Sequence, residues 1–168
     1  PEYIYCGHFD SRENVKYHEH PGAELIYIAA GRCRIEVEGN VFSGSEGTLF
    51  VIPAGVLHNQ INFGRVETRY VVFRSSGLFH ECARVVNLTH DTWIVRWLNE
   101  IFELQKEAHE NIAELGSGLL FLILQRISEL EESRTKHRDY PPSLVRALVF
   151  IERNFTMQIS LGDIAANS

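Results

Sequence analysis

The sequence predicts a mainly β fold with helices appended: a sheet-built barrel over the first half, then two antiparallel helices, then the start of a third, helical unit. Three observations predict it. From Tyr3 to about Arg74 the short runs ELIYIA, RCRIEVEG, TLFVI, NQINF and ETRYVVF are separated by Gly, Pro and Ser turns, which is strand patterning. After Asn87 apolar residues recur at spacings of three and four, the period of an amphipathic helix. Pro141-Pro142 then interrupts the helical text before it resumes, because proline cannot continue a helix through its interior. The expected segments are 1–88 for the barrel, 89–138 for the linker helices and 139–168 for the third unit.

Along the chain, PEYIYCGHFD reads as an N-terminal arm or strand. Gly39-Asn40 marks a hairpin between IEVE and VFSG, and Arg34, Glu36 and Glu38 alternating with Ile35 and Val37 place one face of that strand in solvent. An apolar strand, Thr48 to Ile52, feeds the turn Pro53-Ala54-Gly55, and His58 starts the returning strand. Ile94, Trp97, Leu98, Ile101, Leu104 and Ala108 form the stripe of the first helix, capped by Asp91 or Thr92. Ile112, Leu115, Leu119, Leu122, Ile123, Ile127 and Leu130 form that of the second, which begins near Asn111. LLFLIL, Leu119 to Leu124, is apolar on more than one face, so surplus surface is expected to meet a second subunit and form a homodimer. SELEESRTKHRDYPP is a charged linker or a fraying helix end. Leu144, Val145, Leu148, Ile151 and Phe155 open a new helical face, and Ser160 with Asp163 makes a weak capping box for the last helix.

A chain of 168 residues that is 45% hydrophobic holds one core plus a small second unit. The formal charge of −6 excludes general attraction to phosphate backbones. Cys6, Cys33 and Cys82 have no paired spacing, give no disulfide framework and suit a reducing cytoplasm. No apolar run reaches membrane length, so no membrane partner is expected. Beginning without methionine and stopping at ISLGDIAANS, the chain reads as a piece of something longer.

The chemistry lies in two motifs. His18, His20 and Glu24 fall on one parity, so in a strand that holds its register they point the same way; Pro21-Gly22 is where that register breaks, if it breaks. His58 adds a third imidazole. Imidazole and carboxylate suit zinc, nickel, iron or manganese, so a divalent transition-metal site of His18, His20, Glu24 and His58 is expected. The structural alternative sets His18 and His20 on a rim, bonded to backbone, with Glu24 paired to Arg12 or Lys16.

HEHPGAELIYIAAG followed by GTLFVIPAGVLHNQIN resembles the two signature motifs of cupins, matching at His18, His20, Glu24, Gly31, Gly47, Pro53, Gly55, His58 and Asn62 and departing at Arg12, where a glycine is usual. The resemblance implies a cupin (double-stranded β-helix, jelly-roll) barrel. The last thirty residues, RALVFIERNF and ISLGDIAANS, resemble the opening of the DNA-binding domain of AraC-type transcription regulators, with Leu161, Ile164 and Ala165 at packing positions. This implies a truncated helix-turn-helix segment whose DNA-reading helix lies beyond Ser168.

Two functions compete. One is the effector-sensing and dimerisation part of a bacterial-type AraC-family regulator, with a small molecule or metal inside the barrel and DNA bound through a C-terminal domain not contained here. The other is a mononuclear metal-dependent cupin enzyme, a dioxygenase or isomerase. The regulator reading makes no residue catalytic. For the effector, Tyr17, Tyr27, Phe50 and Gln60 are the expected pocket residues, each aromatic serving equally well as core. His8, His80, His90, His109 and His137 have no ligand spacing and are read as surface or capping residues. The basic run Arg134 to Arg138 is read as solvated linker.

Overall fold

The computed structural model describes residues 1–75, 82–138, 141–154 and 159–167, without the side chains of 134–138 and 152. His80, Phe155 and the side chains of the basic run, His137 among them, therefore lie outside the described residues.

Among the described residues the strands are β1 (Glu2–Ser11), β2 (Val15–His18), β3 (Ala23–Ala30), β4 (Arg32–Val37), β5 (Asn40–Ser45), β6 (Thr48–Ile52), β7 (His58–Asn62), β8 (Val66–Arg74) and β9 (Arg84–Asn87). They pair antiparallel in two sheets, β1-β8-β3-β6-β9 and β2-β7-β4-β5. Ile26, Ile28, Phe50, Ile52 and Val66 of the first sheet meet Cys33, Ile35 and Val37 of the second in one buried cluster. The expected barrel is thus built of two antiparallel sheets that face each other across one core.

In β3 both parities are buried: Ala23, Leu25 and Tyr27 on one face, Glu24, Ile26 and Ile28 on the other. That double burial is why ELIYIA reads as a continuous apolar run. The outer face of the first sheet is covered by α1 (Thr92–Lys106) and the first part of α2 (Ile112–Arg138). Cys6 Sγ lies 3.9 Å from the Ile101 carbonyl, and Tyr3 donates its hydroxyl to Gln105 (2.7 Å) and its N–H to Ser117 Oγ (3.0 Å). Arg69 of β8 donates to Asn99.

Of the two expected caps Asp91 is the one used, accepting the Ile94 N–H at 3.0 Å. Its other oxygen accepts from Arg126 Nε at 2.8 Å. That bond sets residue 126 beside the start of α1, while Tyr3 bridges Gln105 and Ser117, so α1 and the first half of α2 run antiparallel as expected. The compact units are 1–126 and 127–168. The helices up to residue 126 thus lie in one compact unit with the sheets, whose apolar outer face they cover.

The hairpin after β4 turns one residue earlier than expected. Val37 pairs with Asn40, leaving Glu38 (φ 48°) and Gly39 (φ 79°) as the two central residues. A two-residue turn that follows the strand twist requires both φ values positive, and Gly39 supplies only one cheaply. β9, which no sequence run singled out, pairs with β6.

On α2, Leu120, Ile123 and Leu124 are buried while Leu115, Phe121 and Leu122 are 43–51% exposed, so the helix is apolar on more than one face. In the second unit are α3 (Pro142–Asn154) and α4 (Leu161–Ala166). The capping box is complete: Ser160 Oγ accepts the Asp163 N–H and Asp163 accepts the Ser160 N–H at 2.8 Å. Among the described residues no helix is long and apolar enough to cross a membrane, and Cys6, Cys33 and Cys82 are unpaired.

Candidate metal centre and cavity

The four expected ligands converge, but not by the parity of a single strand. β2 belongs to one sheet and β3 to the other, and Pro21-Gly22 lies where the chain crosses between them. His18 ends β2 opposite His58 on β7. Glu24 stands in β3 between Ile52 and Val72. His20 sits in the crossing, where its carbonyl accepts the Gly55 N–H at 2.8 Å. Gly55 holds φ 70°, so the turn of the second motif pins the backbone of the first.

Each imidazole is oriented in the same way. His18, His20 and His58 direct Nδ1 at the carbonyls of Lys16 (3.0 Å), Gly22 (2.8 Å) and Val56 (2.8 Å). A carbonyl only accepts, so Nδ1 carries a proton and Nε2 is the atom left to face Glu24 or an ion: it donates to the carboxylate when it carries a second proton and ligates a metal when it does not. Glu24 Oε2 lies 3.2 Å from His20 Nε2 and 3.0 Å from His58 Nε2, and the four ligand atoms lie within 4.8 Å of one another. Both expected alternatives therefore hold in part: the histidines do bond to backbone, yet Glu24 pairs with imidazoles and not with Arg12 or Lys16.

Glu24 is 6% exposed. Burial pushes its carboxyl up, but the hydrogen bonds from His20 and His58 outweigh burial and hold it below the usual range. The Glu24 carboxylate raises His20 against the opposing effect of burial. Three Nε2 atoms fixed by backbone and one buried carboxylate fit a divalent transition-metal ion. Such an ion would supply Lewis acidity there.

The centre opens into a cavity of about 440 Å³ with His8, Phe9, Asn14, Gln60, Thr68 and Tyr70 among its lining residues and neither Lys nor Arg. Burial first, and then the Glu24 charge, push the Tyr5 and Tyr70 phenols up. Gln60 is the one expected pocket residue that lines this cavity. Tyr17 is 55% exposed and donates to Glu36, because the bulge in β2 turns it outward. Tyr27 has the parity of Leu25 and faces α1. Phe50 points inward but fills the core over Gly44, where an added Cβ would lie 2.4 Å from its ring. Tyr5, His8, Phe9 and Tyr70 were missed as cavity residues. The alternation HFD and ETRYVVF placed them on strands, but only the pairing of β1 with β8 brings Gly7 opposite Tyr70.

Residues 8–74 match the family model of the cupin domain, and this segment contains β2 to β8 and all four ligand residues. The search of curated proteins finds no match. Among solved structures the chain is similar to a conserved protein of unknown function from Streptococcus pyogenes, at 22% identity over 43% of this chain and 65% of that one, TM-score 0.40. It is also similar to a cupin-2 domain protein from Shewanella frigidimarina, at 20% identity over 41% and 69%, TM-score 0.38. A predicted oxalate decarboxylase from Thermotoga maritima matches at 20% identity over 44% and 68%, TM-score 0.41. The chain thus spans about two thirds of each of these proteins.

Proposed function

We propose that this chain is the effector-sensing and dimerisation part of an AraC-type transcription regulator, with a metal ion or metal-bound small molecule in the cupin cavity as the signal. The observation that carries the reading is the order of parts. A cupin domain with a ligand-sized cavity is followed by helices laid on its sheet and then by a separate unit whose last helix has a complete capping box. RALVFIERNF and ISLGDIAANS in that unit carry the resemblance to the regulator family. The exposed Leu115, Phe121 and Leu122 supply the dimer contact in this reading. His18, His20, Glu24 and His58 hold the ion, and no residue is catalytic.

The test uses the whole gene product. DNA binding is measured by selection from genomic fragments, with and without zinc, nickel, iron or manganese and with extracted cell metabolites. Sequence-specific binding that changes on ligand addition is the expected result; failure to select any DNA defeats the reading. A second reading, a mononuclear metal-dependent cupin enzyme such as a dioxygenase or isomerase, draws on one observation: the four-ligand centre faces a cavity with room for a substrate. Turnover of a small acid or ketone by the iron-loaded protein would favour it.

A further inference from the structure

We propose that Gln60 is the specificity-determining residue of the cavity and Asn62 the positioning residue that orients it. The cavity then selects a ring-sized molecule presenting a hydroxyl or N–H donor at the end remote from the histidines. This rests on the reading of the cavity as a ligand site.

The orientation of the amides follows from a backbone carbonyl. Asn62 Nδ2 donates to the Glu13 carbonyl at 2.8 Å. A carbonyl oxygen can only accept, so the other end of the Asn62 amide is oxygen. That oxygen accepts from Gln60 Nε2 at 2.8 Å, and Gln60 Nε2 gives its second hydrogen to Thr68 Oγ1 at 3.0 Å. Both donor hydrogens of Gln60 are thereby used inside the protein. Gln60 is only 3% exposed and lines the cavity, and its Oε1 has no partner among the described residues. That oxygen is open to the cavity, so an occupant that covers it gains by bringing a donor and loses by bringing a second acceptor.

The spacing sets the size of that occupant. His58, Gln60 and Asn62 alternate along β7 on one face, so Gln60 lies roughly 6.5–7 Å along the strand from His58. One six-membered ring with substituents at opposite ends covers this span. Ile26, Phe9 and Tyr70 give the cavity apolar and aromatic walls, and no Lys or Arg offers charge to the far end of the ligand. A neutral acceptor thus reads that end.

The test compares 4-hydroxybenzoate with 4-fluorobenzoate as probes, because fluorine nearly matches the hydroxyl in size and cannot donate. Each is titrated into the whole chain, zinc-loaded and metal-free, and followed by side-chain amide resonances. The hydroxyl probe is expected to bind roughly tenfold tighter. Gln60→Met, with Gln60→Leu as the second variant, should bring the ratio to about one while zinc affinity stays unchanged. Asn62→Ala frees the amide to turn over, so the ratio should fall or reverse, which a merely structural role of Asn62 would not produce. Equal binding of the two probes by the unaltered protein, binding of neither, or a ratio that survives in Gln60→Met overturns the proposal. Loss of zinc binding with the ratio intact defeats the metal reading alone.

Discussion

Glu24→Gln keeps the size of the side chain and removes its charge, and its consequences can be worked out from the site. In the metal-free protein Glu24 Oε2 lies 3.0 and 3.2 Å from two imidazole Nε2 atoms, which donate to it while they are protonated. Hydrogen bonds to a charged group contribute about 1.5–3 kcal/mol each, and burying the carboxylate costs several kcal/mol, so the net loss is about 2 kcal/mol. His20 is raised from 6.5, so its contribution is complete below that value and is lost as pH climbs through the higher folded value. Glu24 is lowered from 4.5, so its contribution is complete above that value and is lost as pH falls through the lower folded one. The two overlap most between about 4.5 and 6.5. The variant should therefore melt about 4–8 °C lower near pH 5.5, taking roughly 2–4 °C per kcal/mol for a chain of this size, and the gap should narrow as pH climbs through the raised His20 value. Zinc at a hundred times its dissociation constant should stabilise the parent by about 2.7 kcal/mol, and by about 0.4 kcal/mol if the variant binds a hundredfold more weakly. Thermal melts from pH 4.5 to 8.5, with and without zinc, measure all of this. A variant with the parent's pH profile and the parent's zinc response would refute the assignment of Glu24 as the shared partner and ligand.

Gly44→Ala places a methyl 2.4 Å from the ring of Phe50, which is 1% exposed and has nowhere to go; chemical denaturation should show a loss of about 1–3 kcal/mol. Glu38→Gly relieves a left-handed φ of 48° in the β4–β5 turn and, as the denaturation midpoint will report, should gain about 0.5–1 kcal/mol. Asp91→Ala removes both the cap of α1 and the acceptor of Arg126, with an expected cost of about 2 kcal/mol. Its amide exchange should rise first in the opening turn of α1.

The letters picked out the four residues that converge and hid the way they are brought together. His18, His20, Glu24 and His58 were legible because they fall in two spaced motifs, with the turn Pro53-Ala54-Gly55 just before His58. The parity argument reached the converging residues by the wrong geometry: the crossing at Pro21-Gly22 moves the chain from one sheet to the other, and convergence comes from the facing of the sheets. Pocket residues were harder to read. An aromatic at a strand position faces in or out according to bulges, and bulges in β1 and β2 reset the parity of Tyr5 and Tyr17. No local signal in EYIYC or VKYH announces either. The α1 stripe was legible because its buried Ile94, Leu98 and Ile101 keep strict helical spacing.

The bulge at Ile4 has a mechanical consequence. Before it, Tyr3 faces the helices, held by Gln105 and Ser117, with its ring so close to Gly116 that an added Cβ there would lie 3.0 Å away. After it, Tyr5 and Phe9 face the cavity, and Gly7 leaves room for the Tyr70 hydroxyl. One strand therefore touches the cavity and the helical layer with alternate side chains. Were Tyr5 and Tyr70 to take two settings linked through β1 to that of Tyr3, an occupant that packs better against one of them would bias Tyr3 by its difference in affinity, and by no more than that. The same coupling acts in reverse: whatever holds Tyr3 against Ser117 and Gly116 must alter cavity affinity by the same factor. β1 thus contacts both the cavity and the helices, and any coupling through it is bounded by how differently Tyr5 and Tyr70 would meet an occupant in two settings.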